Sequence, residues 1–544
     1  MSSDLDCVVV GVNAAPFSEI LAETVKHKQR SGAFAHFAAN AALLDGQRLA
    51  YPELFDRCFE SSIGETSSFN IFRVPQLGVH YLANALLNSG LSVDVVNFFN
   101  IEQEKFSRLL DARPRSVIIT TTFYTDPAPI RAIVAFIRER APRTTIVVGG
   151  TYIFGVRRER APYVQEFIYD SIGADIYIVD SQGETALVKL CLELRSSSPD
   201  LSGIDNLVIR NADRSFSRTP VRSENNDLNQ HSIDWERLAG MGLMNSKMAI
   251  VRTARSCAYA CSFCRYPVLE GRHVWSGVES VERELDSLKS TGATTLLFVD
   301  DTFNIPVDRF KELCRLMIRK RYGFRWMSYL RCGDADAEAI DLAAESGCLG
   351  VFIGIESGDR GILQNMNKKT TLKQYRTGIR RLRERGVLTH ASVIFGFPGE
   401  TEKTARATMR FLQDSGIDSF NSEAYYHDKK SPIGLKQDFF GLKGSGYSWS
   451  HDSMDWKGAA ELVAESYRNL DGPVVIPLFR FSIWSIGYYM SEGIPQASMM
   501  DFLRRGHPFV IKSTDESYQV PTGSREALLS VFRDLDLGSG RLCE

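Results

Sequence analysis

Hydrophobic and polar positions follow one repeating order along much of this chain. Short, nearly continuous apolar runs bounded by turn residues give way to longer stretches in which apolar residues recur every three or four positions. Runs of the first kind predict buried strands, and stretches of the second predict amphipathic helices. In the first 200 residues the strands are Asp6 to Val12, Ser92 to Phe98, Ser116 to Thr122, Thr144 to Val148 and Ile176 to Val179, with helices over Leu77 to Ser89, Pro129 to Arg140 and Glu184 to Leu194. This alternation predicts a doubly wound parallel sheet with helices on both faces, which takes ligands beyond the carboxyl ends of its strands. The stretch from Ala14 to Phe72 interrupts the first unit and is long for a connection, and excursions of that length are functional or disordered.

A hairpin-like piece from Asn206 to Val221 leads through the polar residues Glu224 to His231 into a second alternating region. Its strands are Met248 to Arg252, Thr295 to Val299, Arg325 to Leu330, Gly350 to Ile355, His390 to Phe395 and Ser419 to Tyr425. The helices between them are Val278 to Ser290, Val307 to Arg321, Ala335 to Ser346, Leu372 to Arg385 and Thr401 to Ser415. Six strands and five helices in alternation predict a partial (β/α)6 barrel of the TIM type, with its chemistry at the carboxyl ends of the strands. Beyond Lys430 the alternation stops. The predicted organisation is therefore an α/β protein with a doubly wound domain at 1–205, a linker with a hairpin at 206–240, the barrel at 241–430 and a mostly helical cap at 431–544.

Composition narrows the setting. A length of 544 residues calls for more than one core, and 44% hydrophobic with 24% charged residues is the balance of a soluble globular protein. Lys plus Arg (64) nearly cancels Asp plus Glu (66), so no global field invites nucleic acid or an anionic membrane. The start, Met1 to Leu5, is acidic where a signal peptide would be basic, and no apolar run reaches membrane length. Ten cysteines, seven of them scattered, form no disulfide framework and suit a reducing, cytoplasmic compartment.

The other three cysteines fall in one loop, directly after the first barrel strand: Cys257-Ala258-Tyr259-Ala260-Cys261-Ser262-Phe263-Cys264. Thiolates are the ligands iron-sulfur clusters require, and this spacing lets one loop wrap three corners of a 4Fe-4S cube and leave one iron open. Zinc held by three cysteines and His273 is the rival, but structural zinc loops pair their cysteines and no second pair follows. Several later strand ends carry polar residues or glycine where packing alone would favour apolar ones: Asp300-Asp301, Arg331, Gly354-Ile355-Glu356-Ser357-Gly358 and Gly396-Phe397-Pro398-Gly399-Glu400.

Cys-x3-Cys-x2-Cys with an aromatic before the last cysteine resembles the radical S-adenosylmethionine (SAM) superfamily. The resemblance implies that the open iron chelates SAM and that one electron cleaves it to methionine and a 5'-deoxyadenosyl radical. It also implies roles for the strand ends: Glu356, Ser357 and Arg331 for the ribose and methionine carboxylate, Asp300 for the amino group, and the backbones of Phe263 and Gly396 for adenine.

A doubly wound domain ahead of such a barrel resembles the cobalamin-binding subfamily. The residues concerned are Arg73 and Pro75-Gln76-Leu77-Gly78, then Thr121 and Thr122, Gly149-Gly150-Thr151-Tyr152, and Gly183-Glu184. Glycines at strand ends would let backbone approach a flat ring, and the helix start at Gly183-Glu184 would meet its nucleotide tail. No Asp-x-His-x-x-Gly run occurs, so no lower cobalt ligand is named. The implied reaction is methyl transfer from SAM through methylcobalamin to carbon of a small natural-product intermediate or a peptide. Cyclisation or ring rearrangement with the same cofactors is the alternative, and a non-catalytic sensor is a third reading. Tyr425, Tyr426 and His427 at the sixth strand end are candidates for contact with substrate or for acid–base work. A monomer fed by a flavodoxin or ferredoxin completes the expectation. Glu270 near the open iron, and Trp449 and His451 beyond the barrel, are weaker candidates.

Overall fold

The computed structural model describes residues 5–14, 17–25, 31–67 and 69–535. Residues 1–4 of the acidic start and the last nine residues of the expected cap lie outside that set. The chain forms two compact units, one of residues 5–14, 72–246 and 279–292 and one of residues 17–71, 247–278 and 293–535.

The first unit is built on a seven-stranded sheet. Its strands are β1 (Cys7–Val12), β2 (Val93–Phe98), β3 (Ser116–Thr120), β4 (Thr145–Gly149), β5 (Ile176–Ile178), β6 (Leu207–Arg210) and β7 (Phe216–Arg218), in the order β2-β1-β3-β4-β5-β6-β7. β1 to β5 run parallel, and β6 and β7 add antiparallel at one edge. The order 2-1-3-4-5 reverses direction at β1 and β3, which places a ligand crevice outside the carboxyl ends of those two strands. Val8, Val10, Val117, Ile119, Ile146 and Val148 are buried between the helices, which is why these strands read as unbroken apolar runs.

The second unit holds a seven-stranded, all-parallel sheet. It comprises β8 (Met248–Val251), β9 (Thr295–Phe298), β10 (Arg325–Tyr329), β11 (Cys348–Glu356), β12 (Leu388–Phe395), β13 (Ser419–Ala424) and β14 (Val474–Val475), paired in chain order. The six expected barrel strands are present. The seventh, of two residues, comes from beyond 431 and pairs with β13.

The structure draws the boundaries differently from the sequence pattern. The excursion expected within the first domain belongs to the barrel unit. Its helix Tyr51–Ile63 buries Tyr51, Leu54, Phe55, Cys58 and Phe59, and Phe55 stacks on Tyr489 with centroids 4.0 Å apart. The expected linker is part of the first unit: β6 and β7 extend its sheet, and Trp235 is fully buried, its indole N–H donating to Glu284 at 3.1 Å. Residues 431–535 form one unit with the barrel, held by β14 and by the helix Ile483–Ser491, whose Gly487 lets the backbone approach Met327. The helices Thr151–Glu159 and Pro162–Ile172 escape the sequence pattern because charged residues interrupt their apolar spacing and leave Tyr163 and Phe167 exposed. Among the described residues no helix is long and apolar enough to cross a membrane.

At the amino end of the first sheet, buried Asp6 accepts a two-point bond from Arg195 (2.6 and 3.0 Å) and further bonds from the Ser92 N–H and hydroxyl. The Arg195 bond, outweighing burial, holds the Asp6 carboxyl down at about 2. That contribution is complete above the ordinary Asp value of 3.8 and is lost as pH falls towards about 2. Asp6→Asn is therefore expected to cost roughly 1–2 kcal/mol of stability at neutral pH, with solvent at Arg195 limiting the figure. Denaturant titrations at falling pH should show the gap between variant and wild type closing.

Candidate functional site

The cysteine loop leaves the carboxyl end of β8 and is tied down on several sides. The Asp300 carboxylate, just past β9, accepts the Thr253 N–H (2.6 Å), the Ala254 N–H (2.9 Å) and the Thr253 hydroxyl (2.5 Å). Ala254–Arg255 then pairs with Val274–Trp275 in a two-residue antiparallel ladder that closes the base of the loop. Ser256 is in the left-handed region at φ 67°, and its hydroxyl donates to Gly271 O at 2.7 Å. Such a conformation persists in a non-glycine residue only where its surroundings over-determine it. Further along, the Ser262 N–H and hydroxyl donate to Met366 O and Asn365 O (2.9 and 2.7 Å), and Asn367 donates to Ala260 O at 2.7 Å.

All three cysteines are free thiols; Cys261 is buried, Cys257 and Cys264 half-buried. Burial raises the Cys257 thiol, and it pushes Cys264 up to about 11. Three free cysteines in one loop are the soft donor set that an iron-sulfur cluster takes, each giving up its proton as it binds. Among the described residues no three His, Cys, Asp or Glu side chains converge to single-ion spacing.

Beside the loop lies a buried polar cluster. Lys368 and Glu356 form an ion pair at 2.8 Å, each about a tenth exposed or less. Burial alone would lower the Lys368 ammonium, and Glu356 and Tyr375 outweigh it and raise it. Glu356 ends β11 at φ 65°, after a register shift in the ladder with β12. Gly354 leaves room for this pair: a Cβ would lie 2.4 Å from the Glu356 carboxylate and 2.9 Å from Lys368 Nζ, and the ion pair would have to shift. Lys368 Nζ also lies 5.8 Å from the centre of the Phe263 ring. The Arg331 guanidinium stacks on Tyr259 at 3.6 Å and donates to Lys368 O and, at 3.0 Å, to the Thr370 hydroxyl.

The third group lies at the end of β13. Tyr425 is buried against Phe397 (5.3 Å) and Trp449 (5.5 Å), and Phe397 meets Phe263 of the cysteine loop. The Tyr425 hydroxyl is 3.4 Å from His427 Nδ1, whereas His427 Nε2 is buried with no hydrogen-bond partner. Burial lowers His427 and raises Tyr425, so both favour their neutral forms.

The structure brings the three cysteines, Phe263, Glu356, Arg331, Tyr425 and His427 to the carboxyl end of the barrel, and it shows what each of the expected SAM contacts bonds within the protein. Both Asp300 oxygens accept from Thr253, and one also from Ala254, so this residue anchors the loop. The Ser357 hydroxyl faces the Thr408 hydroxyl at 3.2 Å and accepts the Asp359 N–H, which makes it part of a turn. The Gly396 N–H donates to Glu400, and its carbonyl accepts from His451 Nε2 at 3.1 Å. Its φ of 84° and a Cβ clash at 2.5 Å with Trp449 explain the glycine. The Arg331 fork clamps residues 368–370. Tyr426 is exposed and packs on Tyr447. Lys368 escaped sequence reasoning because it lies in a loop with no periodicity.

In the first unit Gly78 lies near Thr122, and Gly150 lies against Thr121 and Thr122, beyond the carboxyl end of β3. Gln76 caps the helix Leu77–Asn88, and a Cβ on exposed Gly78 would sit 3.9 Å from the Thr122 hydroxyl. The Thr121 hydroxyl donates to Gly149 O at 2.8 Å. Gly150, at φ 108°, packs on Thr121, with Thr151 exposed, Tyr152 half-buried and Arg73 exposed. The Tyr124 hydroxyl crosses the crevice to Gly11 O at 3.0 Å.

A Cβ at Gly183 would strike Ile178 at 2.6 Å, and one at Gly149 would crowd the same side chain at 3.3 Å, so packing against Ile178 favours glycine at both positions. The helix start at Gly183 does not offer open N–H groups: Glu224 accepts those of Thr185 and Ala186, each at 2.8 Å, and Glu184 is bound by Asn226.

Glu400 is fully buried, and burial pushes its carboxyl up to about 8, with one oxygen on Gly396 N–H and the other unpartnered. Because the unfolded chain ionises this group near 4.5, stability falls as pH rises from there towards about 8. Glu400→Gln keeps an acceptor for Gly396 and removes the titration. Its melting temperature relative to wild type is expected to rise between mildly acidic and mildly basic buffer.

Residues 251–412 match the family model described as the Radical SAM superfamily. The chain is 24% identical over 425 residues to an anaerobic magnesium-protoporphyrin IX monomethyl ester cyclase of Rubrivivax gelatinosus, covering 72% of this chain and 73% of that protein. It is 32% identical over 201 residues to the ribosomal protein uS12 methylthiotransferase of Heliobacterium modesticaldum, covering 35% of this chain and 44% of that one. Among solved structures, the radical S-adenosylmethionine methyltransferase TsrM of Kitasatospora setae, solved with tryptophan substrate and a SAM analogue, superposes with a TM-score of 0.55 at 20% identity, covering 80% of this chain and 76% of that chain. The cobalamin-dependent radical enzyme OxsB with aqua-cobalamin superposes with a TM-score of 0.58 at 12% identity, over 98% of this chain and 84% of that chain. Residues 251–412 are thus a radical SAM domain, in a chain with the fold of the cobalamin-dependent radical SAM enzymes.

Proposed function

We propose that this protein is a cobalamin-dependent radical SAM methyltransferase acting on carbon of a small molecule. The observation that carries the reading is the pinned loop of three free cysteines at the carboxyl end of β8, beside a buried Lys–Glu–Arg cluster, in a chain with the fold of TsrM and OxsB. Cys257, Cys261 and Cys264 would hold a 4Fe-4S cluster. Lys368, Glu356 and the rim beside Arg331 receive the polar ends of SAM. When bound, the cluster and SAM supply a 5'-deoxyadenosyl radical, and cobalamin supplies a carrier for methyl.

The remaining work belongs to side chains of this chain. The Phe263–Phe397–Tyr425–Trp449 cluster walls the rim with apolar surface and keeps water from it. His427 Nε2 is positioned to take or give a proton at substrate, with Tyr425 on its other nitrogen. Thr122, Gly78, Gly150 and Thr151 border the crevice that receives the corrin. Its nucleotide tail does not use the Gly183 helix start while Glu224 occupies it.

A second reading, ring formation without net methyl transfer, is favoured by the likeness to the cyclase over 72% of this chain. Anaerobic incubation of the reconstituted protein with SAM, a reductant and cobalamin, with and without candidate acceptors, separates the two. A hydrogen-abstracting methyltransferase releases methionine, 5'-deoxyadenosine and S-adenosylhomocysteine. A transferase to sp2 carbon releases mainly S-adenosylhomocysteine, and a cyclase releases none of it. In the Cys257→Ala/Cys261→Ala/Cys264→Ala protein, bound iron and all of these products are expected to disappear; unchanged iron and turnover would sink the proposal.

A further inference from the structure

The segment following the last barrel strand has an apolar inner side and a charged outer side, directly over the cysteine loop. Its inner anchor is Ile433, 1% exposed, whose N–H donates to Ser262 O at 2.8 Å, between Cys261 and Cys264. Arg265, the residue after Cys264, pairs with Asp428 at 3.2 Å and fixes the start of the same segment. From this anchor the short 3-10 turn Gly434–Phe440 presents Leu435 and Phe439, 79% and 80% exposed. Isolated exposed apolar residues need no explanation, but these two share one turn and are set among exposed Lys429, Lys430, Lys436 and Lys443. Residues 429–443 hold those four lysines and one acidic residue, Asp438, in a chain whose overall formal charge is −2. A local basic field around an apolar centre, on an otherwise balanced protein, is the pattern of a surface that steers and then seats an acidic partner.

We propose that this surface is the docking site of a small acidic electron-carrier protein that reduces the cluster. The inference rests on the radical SAM reading, because it needs a cluster on Cys257, Cys261 and Cys264. It supplies what that reading leaves open, the point at which the electron enters. Electron tunnelling falls steeply with distance, so the carrier must approach where little protein lies between it and the cluster. Residues 429–443 meet that need through the Ile433–Ser262 bond, which joins the exposed turn to the loop in one backbone contact. In the transfer the carrier loses one electron and the oxidised cluster gains one, with no proton required.

Flavodoxin is the probe. In stopped-flow mixing of the reconstituted protein with reduced flavodoxin, loss of the visible cluster band gives the reduction rate. The combined variant Lys429→Glu/Lys430→Glu/Lys436→Glu is expected to be reduced at least tenfold more slowly than wild type. Its reduction by dithionite, a small inorganic donor, should stay within twofold. Wild type should bind flavodoxin in calorimetry at low salt and lose that binding at several hundred millimolar salt. Leu435→Ser/Phe439→Ser should weaken binding without changing its salt dependence. The proposal is overturned if the lysine variant is reduced by flavodoxin as fast as wild type, if dithionite reduction falls equally, or if wild type neither binds flavodoxin nor is reduced by it. Failure of the radical SAM reading would show separately, as a wild-type protein that assembles no cluster and shows no dithionite-dependent change.

Discussion

Everything at the barrel's carboxyl end depends on one buried carboxylate holding one strand end. Asp300 is removed from water, a cost that only hydrogen bonds from all sides can offset. It accepts two backbone N–H groups and a hydroxyl from the two residues at which the chain leaves β8. Those two N–H groups would otherwise be orphaned where the ladder ends. Burial raises the Asp300 carboxyl against the pull of these donors, with Arg309 adding attraction. The exit direction of the chain is thereby fixed, and three residues on from Ala254 stands the first cysteine. An apolar residue at 300 would fill the space and leave the loop without a defined origin.

From that origin, order spreads through polar contacts of the backbone. Residues 365–367 accept from Ser262 and donate to Ala260, while Arg331 clamps residues 368–370 and stacks on Tyr259. The cysteine loop and the loop after β11 are consequently one rigid object, and Lys368 and Glu356 are buried in its floor. A buried ion pair is a weak source of stability, since desolvation consumes most of the attraction. The pair lies beside Phe263 of the cysteine loop, with Glu356 held at a left-handed backbone angle that its surroundings must maintain.

The sequence made the strand–helix alternation and the cysteine loop legible because both are local signals. Apolar run length, helical spacing and a three-thiol spacing require no knowledge of distant partners. The matches are close: Val278–Ser290 is the predicted helix, and β1, β3, β8 and β13 each begin at or next to the expected residue. What eluded the pattern is set by contacts far apart in the chain. Phe55 belongs with Tyr489 and Phe502, more than four hundred residues away, so the early excursion joins the barrel unit. Strand-end residues looked interchangeable in the sequence, yet only coordinates show that Asp300, Ser357 and Gly396 are committed to the fold while His427 Nε2 is not. Lys368 carried no signal at all, being one basic residue in an irregular loop.

The first unit shows why a helix start is a poor guide to a ligand when read alone. Glycine before a helix suggests an open anion site, since free N–H groups and the helix dipole favour negative charge there. In this chain the anion is internal. Glu224 reaches the N–H groups of Thr185 and Ala186 from the segment after β7, and Asn226 ties Glu224 to Glu184. Burial raises the Glu224 carboxyl even so, which means the site grips it without fully repaying its lost hydration. A phosphate arriving there would have to displace a carboxylate that is covalently part of the chain and always present at high local concentration. The residues left exposed near the strand ends of this unit are instead Gly78, Thr122 and Thr151.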